Sequence, residues 1–123
     1  MRHILLRLEA AFDHKEKVDL GTATIEHVLP QTLTDEWRAE LGNDPDTLHA
    51  SLVDTLGNLT LTGYNAELGN LPFAEKKAKL HNTHIELTRP ILALDRWGEK
   101  EISERAETLL KKAEELWTGP TVV

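Results

Sequence analysis

The 123-residue chain contains no cysteine. This absence excludes disulfide bonds, thiolate metal sites and cysteine nucleophiles together, and it is typical of proteins from reducing compartments. Long hydrophobic runs are missing as well, since no segment approaches the ~18 apolar residues that a membrane-spanning helix needs. No charged-then-apolar leader stands at the N-terminus. We therefore expect a soluble, cytoplasmic domain without a membrane partner.

Positive charge is scarce. The chain has 14 Lys and Arg residues against 21 Asp and Glu residues, which gives a formal net charge of −7. A domain that binds DNA by itself usually presents a basic face, because phosphate neutralisation releases counterions and supplies much of the affinity. Two alternatives follow: the chain does not bind nucleic acid, or a partner domain holds the DNA. A bound metal ion would add local positive charge that the residue count omits.

The chain does contain enough apolar residues for a core, with 40% hydrophobic and 28% charged residues. A chain of this length commonly forms one domain and buries roughly two-thirds of its unfolded surface. No internal repeat, low-complexity tract or linker divides it. We therefore expect residues 1–123 to form a single domain.

The spacing of apolar residues predicts mostly helices. Residues 3–12 and 102–117 repeat apolar side chains at three- and four-residue intervals, and we expect these two helices to pack together. Shorter helices are predicted over residues 34–41, 46–54, 73–80 and 83–94. Thr34 is a suitable N-cap for the first of these. Pro90 has to lie in a first turn or kink the last one.

Two segments are predicted as strands. Residues 22–30 are rich in β-branched residues and end at Pro30, which cannot donate to a sheet ladder. Residues 59–62 alternate apolar and hydroxyl side chains between Gly57 and Gly63, which is the period of a strand with one buried face. The whole pattern predicts a helix-dominated α+β domain with a small pair of strands.

The candidate catalytic residues lie in three short segments around His27, Asn58 and Asn65. His27 is suited to act as a base, because imidazole titrates close to neutral pH. The amide oxygen of Asn58 could accept the Nδ1 proton of that imidazole, which would leave Nε2 free to take a proton from water. Glu26 and Asn65 offer oxygen ligands for a hard cation such as Mg²⁺ or Mn²⁺.

Each of these residues also has a structural interpretation. A lone histidine in a strand with apolar neighbours is more often structural than catalytic, and Asn58 after a glycine would suit a turn. Asn65 would suit a helix cap, and Glu26 would be a surface carboxylate in most proteins. The residues are informative only in combination.

The order and spacing of several motifs supply that combination. TIEHVLPQT is followed by Trp37, LGNLTLTGYN, an F-x-x-K element from Phe73 to Lys76, Trp97 and an I-x-x-R-A-x-x-L helix from Ile102. From about Ile4 to Trp117, the chain resembles the C-terminal domain of GmrSD-type restriction endonucleases. Together the motifs are fairly specific, whereas any one of them would be weak.

The resemblance implies a ββα-metal, or HNH-like, nuclease core embedded in a helical bundle. By position, His27 matches the general base and Asn58 matches the asparagine on the second strand. Asn65 matches an asparagine at the start of the following helix, which we expect to bind the metal, and Glu26 stands where HNH nucleases often bind the metal. Lys76 matches the family's lysine, for which we expect a phosphate contact.

One departure concerns the third position of the HNH motif. As in other members of the family, asparagine (Asn65) stands there instead of histidine. Nearby Asn70 is a second candidate for the same role.

The resemblance also implies partners. In such enzymes the module follows an N-terminal nucleotide-hydrolysing domain that recognises DNA, and some members act on phage DNA with modified cytosines. That domain would hold the DNA, which would reconcile cutting with a net charge of −7. The sequence begins directly at the nuclease module, so we expect either a fragment or a stand-alone subunit.

The sequence thus predicts a metal-dependent DNA endonuclease module that restricts phage or modified DNA. Two alternatives stay open. A degenerate nuclease fold could serve as a non-catalytic partner-binding or regulatory module, which the negative charge favours and which saturable Mg²⁺ or Mn²⁺ binding would oppose. A phosphoesterase for small nucleotides would cleave a chromogenic phosphodiester but not plasmid DNA.

Overall fold

The computed structural model describes residues 1–11, 21, 23–63 and 68–118. Within them, five α-helices, two β-strands and two short 3₁₀ segments follow one another along the chain. These are α1 (Arg2–Ala10), β1 (Thr24–His27), α2 (Asp35–Leu41), α3 (Pro45–Leu52), the first 3₁₀ segment (Leu56–Asn58), β2 (Leu59–Thr62), α4 (Phe73–Lys79), the second 3₁₀ segment (Arg89–Ala93) and α5 (Glu99–Thr118). The predicted helix-dominated α+β class is confirmed. No helix of the described residues is long and apolar enough to cross a membrane.

Local sequence signals explain how α2 and α3 begin and end. The predicted N-cap is confirmed, because the Thr34 hydroxyl accepts a hydrogen bond from the Trp37 amide at 3.3 Å. Gly42 ends α2 with a φ of 81°, a left-handed conformation that glycine adopts without a steric penalty. Asp44 also has a positive φ, and Pro45 then opens α3 at the position where a missing N–H costs nothing.

The two strands form one antiparallel sheet in which His27 pairs with Leu59 and Glu26 pairs with Thr60. The strand at residues 59–62 has the predicted bounds, but the prediction that only one of its faces is buried is wrong. All four of its residues are buried. The hydroxyls of Thr60 and Thr88 lie 2.8 Å apart, and Thr88 also donates to the Leu61 carbonyl at 2.8 Å. The segment around Thr88 therefore covers the threonine face and supplies its hydrogen bonds.

The buried apolar side chains of the described residues form two clusters. The first centres on Trp37, Phe73 and Trp97, whose neighbouring ring centroids are 6.3 Å and 5.7 Å apart. The second cluster joins α1, the strands and α5 through Leu5, Leu8, Ala23, Leu59, Leu61, Ile85, Leu87 and Leu109. The predicted packing of the first helix against the last is confirmed. The predicted ends of these helices near Phe12 and at Gly119-Pro120 lie outside the described residues.

The prediction of a helix over residues 83–94 is wrong for most of that segment. Turns occupy residues 86–88, and only Arg89–Ala93 is helical, as a 3₁₀ segment with Pro90 in its first turn. The cause lies in the buried carboxylate of Glu9 on α1. It accepts hydrogen bonds from the amides of Glu86 and Leu87 at 2.7 Å and 2.8 Å, so a distant side chain takes donors that a regular helix would use internally.

A close backbone approach fixes the segment before β2 on α5. A Cβ atom on Gly57 would lie 2.1 Å from the carbonyl oxygen of Ile102, so only glycine fits there. Arg105 of α5 donates to four backbone carbonyls, those of Leu56, Gly57, Leu59 and Leu87, at 2.7–3.3 Å. Burial lowers the pKa of Arg105 to about 10, which leaves the guanidinium charged at neutral pH.

We expect Gly57→Ala to lower the free energy of unfolding by about 1–3 kcal/mol, because the added methyl group must push α5 away from the sheet. Urea denaturation measures this change. Gly63→Ala is the matched control, since no atom of the described residues lies within 4 Å of the place that its added methyl group would occupy. Equal unfolding midpoints for the two variants would contradict the close approach.

Candidate active site

His27 is the last residue of β1, and its side chain is 23% exposed. The strand ends because the chain turns inward after it. Val28 and Leu29 enter the aromatic cluster, while the Val28 amide still bonds to the Asn58 carbonyl at 3.1 Å. Successive side chains of a strand point to opposite faces, so Glu26 is directed into the protein. A half-buried imidazole that solvent can still reach therefore lies at the end of a well-packed sheet.

The side chain of Asn58 is fully hydrogen-bonded and buried. Its oxygen accepts from the Leu29 amide at 2.7 Å and from the indole N–H of Trp97 at 2.9 Å. Its nitrogen donates to the carbonyls of Leu29 and Val53 at 2.9 Å and 2.8 Å. An amide has two donors and two acceptor positions, so no capacity remains. Among the described residues no bond joins it to the His27 ring, and its orienting role stays a prediction.

Glu26 and Lys76 form a buried ion pair. The Lys76 ammonium donates to Glu26 Oε2 at 2.7 Å and to the carbonyls of His27 and Val28 at 2.9 Å and 3.0 Å. Only 4% of the Glu26 side chain and 1% of the Lys76 side chain are exposed. Because an ammonium has three donors, these contacts use all of them. The pair thus fixes the backbone at His27 and Val28, and with it the position of the His27 side chain.

Burial acts against both charges of this pair. It raises the pKa of the Glu26 carboxyl, although the nearby Lys76 ammonium works in the opposite direction. It lowers the pKa of Lys76, and the Glu26 carboxylate opposes that shift. Each ion therefore depends on the other for its charge, and removal of either partner leaves a buried charge uncompensated.

The predicted metal ligand Asn65 lies outside the described residues. Its competitor Asn70 is exposed and lines a surface cavity together with Glu36 and Glu75. The two residues predicted to bind the metal and the phosphate, Glu26 and Lys76, bond to each other instead of facing solvent. Their predicted roles stay predictions, and both would require this pair to open.

Sequence reasoning missed two residues that contact His27 or the loop after it. Asp54 follows α3, and its Oδ1 lies 3.1 Å from His27 Nε2. His49 of α3 has its Nε2 2.8 Å from the Pro30 carbonyl oxygen, which can only accept, so this nitrogen carries the proton. His49 thereby ties α3 to the loop that follows β1. The one sequence signal for Asp54 was its place shortly before the LGN motif.

The described residues do not complete a site for a divalent cation. No group of three or more His, Asp or Glu side chains in this part of the chain is arranged to hold a metal ion. The Glu26 carboxylate is occupied by Lys76, and the exposed carboxylate of Asp54 is engaged by the imidazole of His27.

The fold and the site define a helix-rich α+β domain with a candidate catalytic histidine at the end of its sheet. The comparison with known families is more specific. The family model of "GmrSD restriction endonucleases, C-terminal domain" matches residues 1–112, and the chain belongs to this family. The resemblance is thus confirmed, and the chain is a restriction endonuclease domain. A search of curated proteins gives no match.

We expect Lys76→Met to lower the free energy of unfolding by about 3–5 kcal/mol, because it leaves the Glu26 carboxylate buried without a partner. The double variant Glu26→Leu/Lys76→Met should lose less free energy of unfolding than Lys76→Met alone, since it also removes the buried carboxylate. Denaturant unfolding monitored by tryptophan fluorescence gives both values.

Lys79→Met on the same helix provides the control, because Lys79 is exposed. Its effect should stay within about 0.5 kcal/mol. A Lys76→Met protein as stable as this control would refute the energetic role of the pair.

Proposed function

We propose that the chain is the nuclease module of a metal-dependent DNA endonuclease of the HNH type, with His27 as the general base. The supporting observation is that a half-buried, solvent-accessible imidazole lies at the end of a sheet whose backbone is held by buried polar contacts, in a domain of the restriction endonuclease family. Residues 1–123 would form this single module.

The proposed reaction is hydrolysis of a phosphodiester. A ring nitrogen of His27 accepts a proton from water while the water oxygen bonds to phosphorus. The bond from phosphorus to the 3′ oxygen breaks, and its electron pair leaves on that oxygen, which then gains a proton from solvent. A general base of this kind contributes about 10²–10⁴ in rate. The contribution depends on fixed geometry, which the bonds of Lys76 and Asn58 to the neighbouring backbone provide.

The cofactor in this proposal is Mg²⁺ or Mn²⁺. When bound, such an ion neutralises charge on the phosphate and on the leaving oxygen. Asn65 is the proposed ligand, and Glu26 would join it only with its ion pair to Lys76 open. The same condition applies to a phosphate contact by Lys76. The geometry of the described residues favours a different task for this pair, which is to position His27.

The proposed substrate is DNA, including modified phage DNA, and the proposed partner is an N-terminal nucleotide-hydrolysing domain of the same or another chain. The net charge of −7 supports a division of labour in which that domain holds the DNA and this one cuts it. A phage-restriction role would place the protein in the cytoplasm.

A non-catalytic partner-binding module is the alternative. It is favoured by the acidic charge and by the structural contacts of Asn58, Glu26 and Lys76, whose polar groups are already satisfied. Calorimetric titration with Mn²⁺ separates the two, because a degenerate site would show no saturable binding.

We expect the chain to nick supercoiled plasmid DNA in Mg²⁺ or Mn²⁺ at low salt, and His27→Ala to slow nicking by at least about 100-fold. The reason is the loss of the proton acceptor. Gel assays under single-turnover conditions measure the rate, and a chelator should stop it.

His3→Ala is the matched control, because His3 is an exposed histidine on α1. It should nick at the wild-type rate. Nicking that survives in folded His27→Ala would exclude His27 as the base. Absence of nicking together with absence of Mn²⁺ binding would favour the non-catalytic module.

A further inference from the structure

Among the described residues, the exposed carboxylate of Asp54 contacts the ring of the candidate base. Its Oδ1 lies 3.1 Å from His27 Nε2, across 27 positions of sequence. The carboxylate is 79% exposed, while the imidazole is 23% exposed. No role in hydrolysis follows for Asp54 from the family match or from the motifs.

We propose that Asp54 is a positioning residue for His27, which fixes the imidazole tautomer and its orientation. This inference rests on the proposed nuclease function. A carboxylate only accepts hydrogen bonds, so the Nε2 atom of His27 must carry the proton in this pair. A neutral imidazole has one donor and one acceptor nitrogen, and Nδ1 is therefore the atom that takes the proton from water.

This assignment reverses the tautomer that the sequence suggested. The expected partner of the ring was Asn58 on Nδ1, with Nε2 as the base. The amide of Asn58 is filled by Leu29, Trp97 and Val53, and a carboxylate occupies the Nε2 side instead. After proton transfer, the imidazolium stands beside a negative charge, which stabilises the product of that step.

Buried contacts hold the backbones of His27 and Asp54 together, so the exposed pair does not rely on its own contact alone. Asn58 bonds to Leu29, two residues after His27, and to the carbonyl of Val53, which precedes Asp54. On the other side of Asp54, the Thr55 hydroxyl donates to the Leu52 carbonyl at 2.8 Å.

His49 adds a second connection of the same kind. Its bond to the Pro30 carbonyl joins α3, the helix before Asp54, to the loop after His27. The buried side chain of Asn58 and the half-buried side chain of His49 therefore connect the two backbone segments, and the carboxylate needs only a rotamer choice to reach the ring. Asp54 holds the ring, Lys76 holds the backbone of His27, and Asn58 connects the two segments.

The test compares the 123-residue chain with Asp54→Ala and Asp54→Asn. The ¹⁵N NMR chemical shifts of the histidine rings report which ring nitrogen carries the proton. They are recorded at about pH 8.5, where an ordinary imidazole is neutral. The His27 signals are identified by their absence from His27→Ala. Plasmid nicking and Mn²⁺ titration are measured on the same samples.

In the wild-type chain we expect a proton on Nε2 of His27. Asp54→Ala should give a mixture of tautomers and slow nicking by about tenfold, within the range available to a general base. The tautomer ratio and the nicking rate of Asp54→Asn should lie between those of the wild-type chain and of Asp54→Ala, because the amide oxygen can still accept a hydrogen bond from Nε2.

Two controls separate this effect from a change in charge or fold. Asp46→Ala removes another exposed carboxylate from an ion pair, that with Arg38, and should leave ring shifts and nicking unchanged. The His49 ring, bonded to the Pro30 carbonyl, should keep its tautomer in every variant.

Three results would overturn the inference: wild-type ring shifts in Asp54→Ala, an unchanged nicking rate despite altered shifts, or loss of Mn²⁺ binding with the His27 tautomer intact. The last would make Asp54 a cation ligand instead. A wild-type chain that never nicks DNA would refute the proposed function, whereas the ring shifts would still decide whether Asp54 sets the tautomer.

Discussion

The buried amide of Asn58 connects the parts of the chain on which the candidate site depends. It binds both backbone groups of Leu29, the carbonyl of Val53 and the indole of Trp97. These contacts bring the end of β1, the end of α3 and the aromatic cluster to one point. A side chain with four satisfied bonds in a buried position is costly to replace, because any substitution leaves polar groups without partners. The bonds hold the backbone that follows His27 against the end of α3.

A second buried polar unit, Glu26 with Lys76, fixes the backbone at His27 and Val28. Such a pair contributes little net stability compared with an apolar core, yet it is costly to break. Its value here lies in geometry, since the ammonium reaches two consecutive carbonyls beside His27. The half-buried imidazole thus stands on backbone that buried contacts hold, and among the described residues Asp54 contacts the ring and sets its orientation in our proposal.

A negative net charge is compatible with a domain of a nuclease family if another domain supplies the affinity for DNA. The chain carries a net charge of −7, and no cation site is complete within the described residues. Family membership places this domain at the C-terminus of restriction endonucleases. In the proposed function, affinity for DNA resides in an N-terminal partner, and His27 at the end of the sheet is the proposed base.

The sequence alone determined the α+β class, the helices at both ends of the chain, the N-cap at Thr34 and the strand at residues 59–62. These follow from local periodicity and capping, which depend on near neighbours. It also identified the motif around His27 and Asn58, and through their order the family. Only the tertiary structure decided the partners of the polar groups: Asp54 against His27, Lys76 against Glu26, and Glu9 against the segment predicted as a helix over 83–94. Each of these contacts joins residues 27–78 positions apart, and no local pattern encodes which distant donor will meet a given acceptor.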